Sequence, residues 1–284
     1  MLEITNLRNG TVLNAVDILT YVADGISLPV HMIPDGGFPA GTPEDEVKGI
    51  LVTWLASPEV LRYTAARGLN LVICHEPLYW DEREESPLYR SSGPYRNPLD
   101  RKSHPNNLKK KIIEENNLTV LHIHYSLDKL IIYDAFSEKL GLKEVAAGEM
   151  YEKVYSLPEK MSFRKLVENV RERINLPVIR YVGDENRIIE KVGNCWGGAA
   201  LSSNRYFTRR MIENGAEAII CGELDEAAMF FALEYGVCLI ETSHVLSENP
   251  GIKEFADDLR RSFGSVPVEF FEIKIPYKIY EHGR

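Results

Sequence analysis

Short apolar runs of strand length alternate along this chain with segments that carry helix spacing, and that alternation restricts the fold more than any other feature. The stretch 50–74 shows it most completely. Ile50–Trp54 reads as a buried strand. Ser57 is placed to cap a following helix, with Pro58 at its first position and Gly68 just past its end. Leu69–Cys74 is the next strand. Two strands joined by a helical crossover pair in parallel, so this βαβ unit commits the chain to an α/β architecture.

The pattern continues. A helix over Asn107–Glu115 leads to a strand over Leu118–His124, whose alternation puts Val120, His122 and His124 on one face and Leu121 and Ile123 on the other. Phe163, Leu166, Val167, Val170 and Ile174 have the spacing of a helix with one buried face. Val178–Val182 and Ile188–Val192, joined by Gly183-Asp184-Glu185-Asn186, read as a hairpin or as neighbouring strands. Gly193–Gly198 is either a tight turn or a loop open enough to cradle an anion. Helices near Asn204–Asn214 and Asp225–Glu234 alternate with strands at Ala216–Cys221 and Gly236–Ile240. A last helix is expected after Glu248, with Asn249 as its cap and Pro250 at its first position. The βα units run twice, around 50–130 and 178–240, which predicts two α/β lobes with mixed sheets flanked by helices. Residues 1–134 with 238–284 are expected to form one lobe, and 135–237 the other.

Composition excludes several classes. At 284 residues, 44% hydrophobic and 26% charged, the chain is an ordinary globular protein with a substantial core. Its formal charge of −9 opposes non-specific nucleic-acid binding. No apolar run has the length of a membrane span, and the first residues lack the basic and apolar regions of a signal peptide, so a cytoplasmic location is expected. Cys74, Cys195, Cys221 and Cys238 form no Cys-x-x-Cys pair and mostly sit in strand-like contexts, which fits small buried hydrophobes. Residues 81–107 are polar, proline-bearing and aperiodic, and read as a long surface loop or lid. The nearby Arg96, Arg101, Lys102, Lys109, Lys110 and Lys111 form a solvated face or attract an anionic substrate.

Three clusters carry the chemistry: His75-Glu76-Pro77, His124-Tyr125-Ser126-Leu127-Asp128 and His244-Val245-Leu246-Ser247-Glu248. Each lies at or shortly after the end of a strand-like run, where open α/β sheets bind ligands. Each pairs a neutral imidazole with a carboxylate, a donor set suited to first-row divalent ions or magnesium. Three carboxylates against two divalent ions leave one positive charge for an anionic ligand to balance. Metals lower the pKa of bound water, so the set points to hydrolytic chemistry. One cluster alone is a common surface or capping feature; the weight lies in three of them, using three of the seven histidines. His122 lines the same side as His124 or is a hydrogen-bonded core histidine.

At these residues the chain resembles the Nif-three-like (Ngg-interacting-factor-three-like) family of dinuclear metal proteins. The likeness rests on Leu71-Val72-Ile73-Cys74-His75-Glu76-Pro77-Leu78, on His124-Tyr125-Ser126-Leu127-Asp128, on Gly215-Ala216-Glu217-Ala218-Ile219-Ile220-Cys221-Gly222-Glu223 and on His244-Val245-Leu246-Ser247-Glu248. It implies two divalent ions per chain (zinc, iron, manganese or magnesium) held by His75, Glu76, His124, Asp128, His244 and Glu248. It also implies two α/β lobes and a hexamer built as a trimer of dimers. Some relatives bear the name GTP cyclohydrolase type-two homologue, a ring-opening hydrolysis, although nothing here reads as a guanine pocket. Three positions depart from the family: Glu76 replaces a usual second histidine, Ser243 a glycine and Tyr125 a threonine. The chain is too short for the inserted domain of longer members. Two functions follow: a hydrolase of a small, nucleotide-like or phosphorylated substrate, with Glu76 or His122 moving the proton, or a non-catalytic metal-binding scaffold or metal-handling protein.

Overall fold

The structure, a computed structural model, describes residues 12–34, 36–80 and 105–280. Most of the loop expected at 81–107, with Arg96, Arg101 and Lys102, lies outside them. The chain divides into two compact units, Met1–Leu130 with Ile252–Glu272 and Ile131–Gly251 with Ile273–Arg284. In chain order the strands are β1 (Gly37–Ala40), β2 (Ile50–Thr53), β3 (Leu71–Cys74), β4 (Thr119–His122), β5 (Glu144–Ala147), β6 (Val154–Ser162), β7 (Arg180–Val182), β8 (Ile188–Cys195), β9 (Ala218–Cys221), β10 (Cys238–Glu241) and β11 (Val268–Phe271).

The first unit holds a five-stranded sheet in the order β1-β4-β3-β2-β11. β4, β3, β2 and β11 are parallel, and β1 closes one edge antiparallel to β4. β2 and β3 are buried along their whole length, which explains why their sequences, Ile-Leu-Val-Thr and Leu-Val-Ile-Cys, do not alternate between apolar and polar residues. The crossover between them is the helix Pro58–Ala66, and Ser57 caps it by accepting from the Val60 N–H. The helix Pro105–Asn116 packs Ile112 and Ile113 against Leu61, Val72, Leu118 and Val120. Burying each such side chain contributes roughly 1.5–3 kcal/mol, so this layer holds the strand ends in a fixed register.

The second unit holds a six-stranded sheet in the order β5-β6-β8-β9-β10-β7. β8, β9 and β10 are parallel at its centre, joined by the helices Arg205–Glu213 and Glu226–Glu234. The antiparallel pairs β5·β6, β6·β8 and β10·β7 make both sheets mixed. The helix Phe163–Ile174 buries the five apolar residues whose spacing predicts it.

Three expectations differ from the structure. β7 and β8 are not a hairpin: β8 lies between β6 and β9, while β7 pairs with β10 at the far edge. Sequence neighbours joined by a turn therefore separate, because the buried run of β8 needs a partner on each side. The last helix begins not at Pro250 but at His244, and runs to Ser262 with Pro250 inside it. Asn249-Pro250 mimics a helix start, but the proline is tolerated in the second turn at the loss of one backbone hydrogen bond. Finally, 131–134, 238–251 and the segment from Ile273 belong with the second unit and not with the first; β10 completes a parallel register with β9.

Candidate metal centre

In the first unit the site residues follow the carboxyl ends of β3 and β4. The His75 N–H donates to the Thr53 and Trp54 carbonyls (both 3.2 Å) and the Glu76 N–H to the Trp54 carbonyl (2.8 Å), so both residues are pinned to the end of β2. The buried His75 ring has Nδ1 3.3 Å from the Ile123 carbonyl oxygen. A carbonyl only accepts, so this contact places the proton on Nδ1 and leaves the Nε2 lone pair for a ligand. Nε2 lies 3.7 Å from Asp128 Oδ1. After β4 a helical turn starts at Tyr125, and the Asp128 N–H donates to the His124 carbonyl (3.1 Å). That turn stacks residues four apart, so His124 Nδ1 lies 3.4 Å from Asp128 Oδ2, and Nε2 lies 3.7 Å from Glu76 Oε1. Asp128 opens a π-helical turn, Asp128–Ile132, a distortion that recurs at functional sites.

These residues fit a divalent ion. One ligand atom from each of His75, His124 and Asp128 lies within 4.8 Å of the others. The 3.4–3.7 Å donor separations are slightly wider than the roughly 3.0–3.4 Å that donors take around an ion at ~2.1 Å. His124 turns one nitrogen to Asp128 and the other to Glu76. A neutral ring carries one proton and satisfies one of these contacts by donation, which leaves the other to a cation, either a second ring proton or a metal ion. His124 is 42% exposed, which leaves one side of the group open. His122 ends β4 with its ring 6.4 Å from that of His124, tilted by 52°. It lies beside the group.

In the second unit the carboxyl ends of β8, β9 and β10 supply the counterpart. The turns after them are laced together: the Gly222 N–H donates to the Cys195 carbonyl (2.8 Å), Glu223 N–H to Gly197 (2.9 Å) and Ser243 N–H to Gly222 (2.7 Å). His244 and Glu248 lie one turn apart on the helix His244–Ser262, with Nε2 3.3 Å from Oε1. His244 Nδ1 lies 3.0 Å from Glu223 Oε2, so a neutral ring that donates from Nδ1 to Glu223 turns its Nε2 lone pair toward Glu248. Ser247 Oγ donates to the His244 carbonyl (2.7 Å) and accepts from the Gly197 N–H (2.8 Å). Gly197 has φ +51°, and a Cβ there would lie 2.0 Å from Glu248 Oε1, so only glycine leaves room for that carboxylate. Ser243 holds φ +121°, a left-handed conformation that glycine adopts at less cost, so the serine at this position carries strain next to His244.

Each expected ligand thus lies in a cluster of its own unit: His75, Glu76, His124 and Asp128 in the first, His244 and Glu248 in the second. In both units the expected carboxylate arrives one helical turn after the histidine. Glu223 is an addition; its Gly222-Glu223 dipeptide stands out in the sequence without revealing its partner. The cysteines are all buried, and burial pushes the Cys74 and Cys195 thiols up to about 12, so thiolate ligation is disfavoured. Lys109 is also buried, donating to the Leu78 carbonyl at 2.5 Å, and is no part of a solvated basic face.

The fold and the clusters define a class: an α/β protein with imidazole–carboxylate groups, suited to divalent ions, at its strand ends. Within that class, the chain belongs to the Duf34/NIF3 (NGG1p interacting factor 3) family, which it matches over residues 33–276. It is 23% identical over 236 residues to a Haemophilus influenzae protein named GTP cyclohydrolase 1 type 2 homolog, covering 81% of this chain and 86% of that one. A Clostridium perfringens protein of the same name is 23% identical over 92% of this chain and 98% of its own length. Among solved structures, a Bacillus cereus protein related to NIF3 superposes with a TM-score of 0.75 at 14% identity, covering 95% of this chain and 100% of that one. A Staphylococcus aureus hypothetical protein gives 0.73 at 16% identity, with 95% and 100% covered. No helix among the described residues is long and apolar enough to cross a membrane.

Proposed function

We propose that this protein binds two divalent metal ions per chain through His75, Glu76, His124, Asp128, His244 and Glu248, and that it hydrolyses a small nucleotide-like or phosphorylated substrate. The observation that carries this reading is the His75–His124–Asp128 group, whose donors are buried on one side and open at His124. When bound, such ions supply Lewis acidity and an activated water at neutral pH. The chain's own residues do the rest. The Ile123 carbonyl orients His75, and Asp128 is fixed by the helical turn from His124. Glu76 Oε1, 3.7 Å from His124 Nε2, is placed to accept a proton when it is not fully engaged as a ligand, and the His122 ring is the next group along. The name shared by the curated relatives, GTP cyclohydrolase 1 type 2 homolog, supports a purine nucleotide as the first substrate to try.

The alternative is a metal-binding scaffold without turnover; the partial exposure of His124 favours the enzyme, since a purely structural site is closed. We propose also a homo-hexamer, a trimer of dimers, as the resemblance read from the sequence implies. The test is a hydrolysis screen of metal-loaded protein against nucleotides and phosphorylated metabolites, with sedimentation analysis alongside. Metal-dependent turnover that His124→Ala abolishes supports the enzyme. Full turnover by metal-free protein sinks the mechanism. A metal-loaded protein inert to the whole panel favours the scaffold.

A further inference from the structure

We propose that Glu223 is a positioning residue for His244, and that the cross-strand pair Arg180–Glu241 holds Glu223 in place; this rests on the reading of His244 as a metal ligand. The turn Gly222-Glu223-Leu224 leaves the end of β9, and its first half is tied to the neighbouring turns by the three backbone hydrogen bonds given above. Its second half is gripped by side chains. Arg180 on the edge strand β7 and Glu241 at the end of β10 are register partners, and their guanidinium and carboxylate form an ion pair. Glu241 Oε1 accepts from the Leu224 N–H (3.0 Å), while Arg180 Nη2 donates to the Leu224 carbonyl (3.1 Å). One ion pair thus engages both backbone polar groups of the residue after Glu223, and Leu224 is itself buried.

The consequence reaches the imidazole directly. With the turn fixed, Glu223 Oε2 stands 3.0 Å from His244 Nδ1 and Nε2 points at Glu248. A histidine whose second nitrogen donates to a carboxylate is held in one tautomer and one orientation, and is a stronger base at the other nitrogen. Glu223 is not a buried structural ion: its side chain is 47% exposed, so truncating it leaves no cavity. Glu241 is mostly buried and belongs to the sheet edge, while Arg180 is largely exposed, which makes Arg180 the better probe of the outer half of the chain of contacts.

The test uses the full chain, stripped of metal and titrated with cobalt(II). Glu223→Ala should weaken one cobalt equivalent by about 10–100-fold, the range known for partners of a ligating histidine. Glu223→Gln, which keeps an acceptor, should recover part of that loss. Arg180→Met should weaken the same equivalent by less, and the double variant should fall short of the product of the two effects, because both act along one path. Nitrogen-15 spectra of the metal-free histidines should show His244 protonated at Nδ1 in the parent and no longer held in that form in Glu223→Ala. A merely structural role would move neither the tautomer nor one equivalent selectively. Unchanged affinity in Glu223→Ala, with His244→Ala defective, overturns the positioning role and spares the metal reading. Cobalt binding unaffected by His244→Ala, or absent in the parent, overturns both. If Glu223→Ala does not fold, parent-like affinity in Glu223→Gln and Arg180→Met together overturns the proposal.

Discussion

His75 and His124 stack their imidazole rings face to face, with centroids 4.3 Å apart and planes 12° from parallel, although one ring is buried and the other is partly exposed. They come from the ends of adjacent parallel strands, so the stack records the register of β3 and β4. Their different burial gives two different mutational outcomes. His124→Ala should cost metal-free protein less stability than His75→Ala does, because its ring is 42% exposed, yet reduce metal content sharply. His75→Ala should do both, destabilising by about 1–3 kcal/mol because it opens a buried space and removes the partner of the Ile123 carbonyl. Chemical denaturation and elemental analysis on each variant check the contrast.

Gly197→Ala should fail at the Glu248 carboxylate. The added methyl meets Oε1 at 2.0 Å and the residue has φ +51°, so the substitution costs about 1 kcal/mol or more and displaces that carboxylate. Metal titration should show weakened binding with the fold retained. Parent-like affinity would mean that Glu248 has room to move that the packing does not show.

The four thiols should be silent in the folded protein. Burial raises all of them, Cys74 and Cys195 to about 12, so a thiol reagent at pH 8 should label none rapidly and all four after denaturation. Rapid labelling of the native protein would contradict the packing of β3, β8, β9 and β10.

Much of the site is legible in the sequence because its pairs are local. His124 with Asp128, and His244 with Glu248, are four residues apart, and His75 and Glu76 are adjacent. Glu223 escapes notice as a site residue because its partner lies 21 residues on, brought close by the parallel pairing of β9 with β10 and by no spacing rule. The fold class follows from alternating periods, and the βαβ unit at 50–74 from capping residues. What misleads is local resemblance: Asn249-Pro250 imitates a helix start, and Gly183–Asn186 imitates a hairpin turn between strands that find other partners. In both places tertiary pairing outweighs the local signal.

Lys109 offers a check on pH dependence. Burial holds its ammonium below the ordinary lysine range. The unfolded chain therefore binds the proton more tightly, and native stability rises with pH from the lowered folded value up to the ordinary value of about 10.4. The stability difference between the parent and Lys109→Met should shift in the parent's favour across that alkaline window. A flat difference would mean that the amine is solvated.

Ligand-linked stabilisation follows from the metal reading. A divalent ion at a hundred times its dissociation constant adds about 2.7 kcal/mol per site. The melting temperature should rise on adding zinc or manganese and fall with a chelator, and the response should be reduced in Asp128→Ala and Glu248→Ala.

The most direct measurement is the metal content of gently purified, tag-free protein by elemental mass spectrometry, beside His75→Ala and His244→Ala. Two equivalents of divalent metal per chain, reduced in both variants, is the predicted result. A parent free of metal even after reconstitution with zinc, manganese, iron and magnesium would contradict the account at its centre.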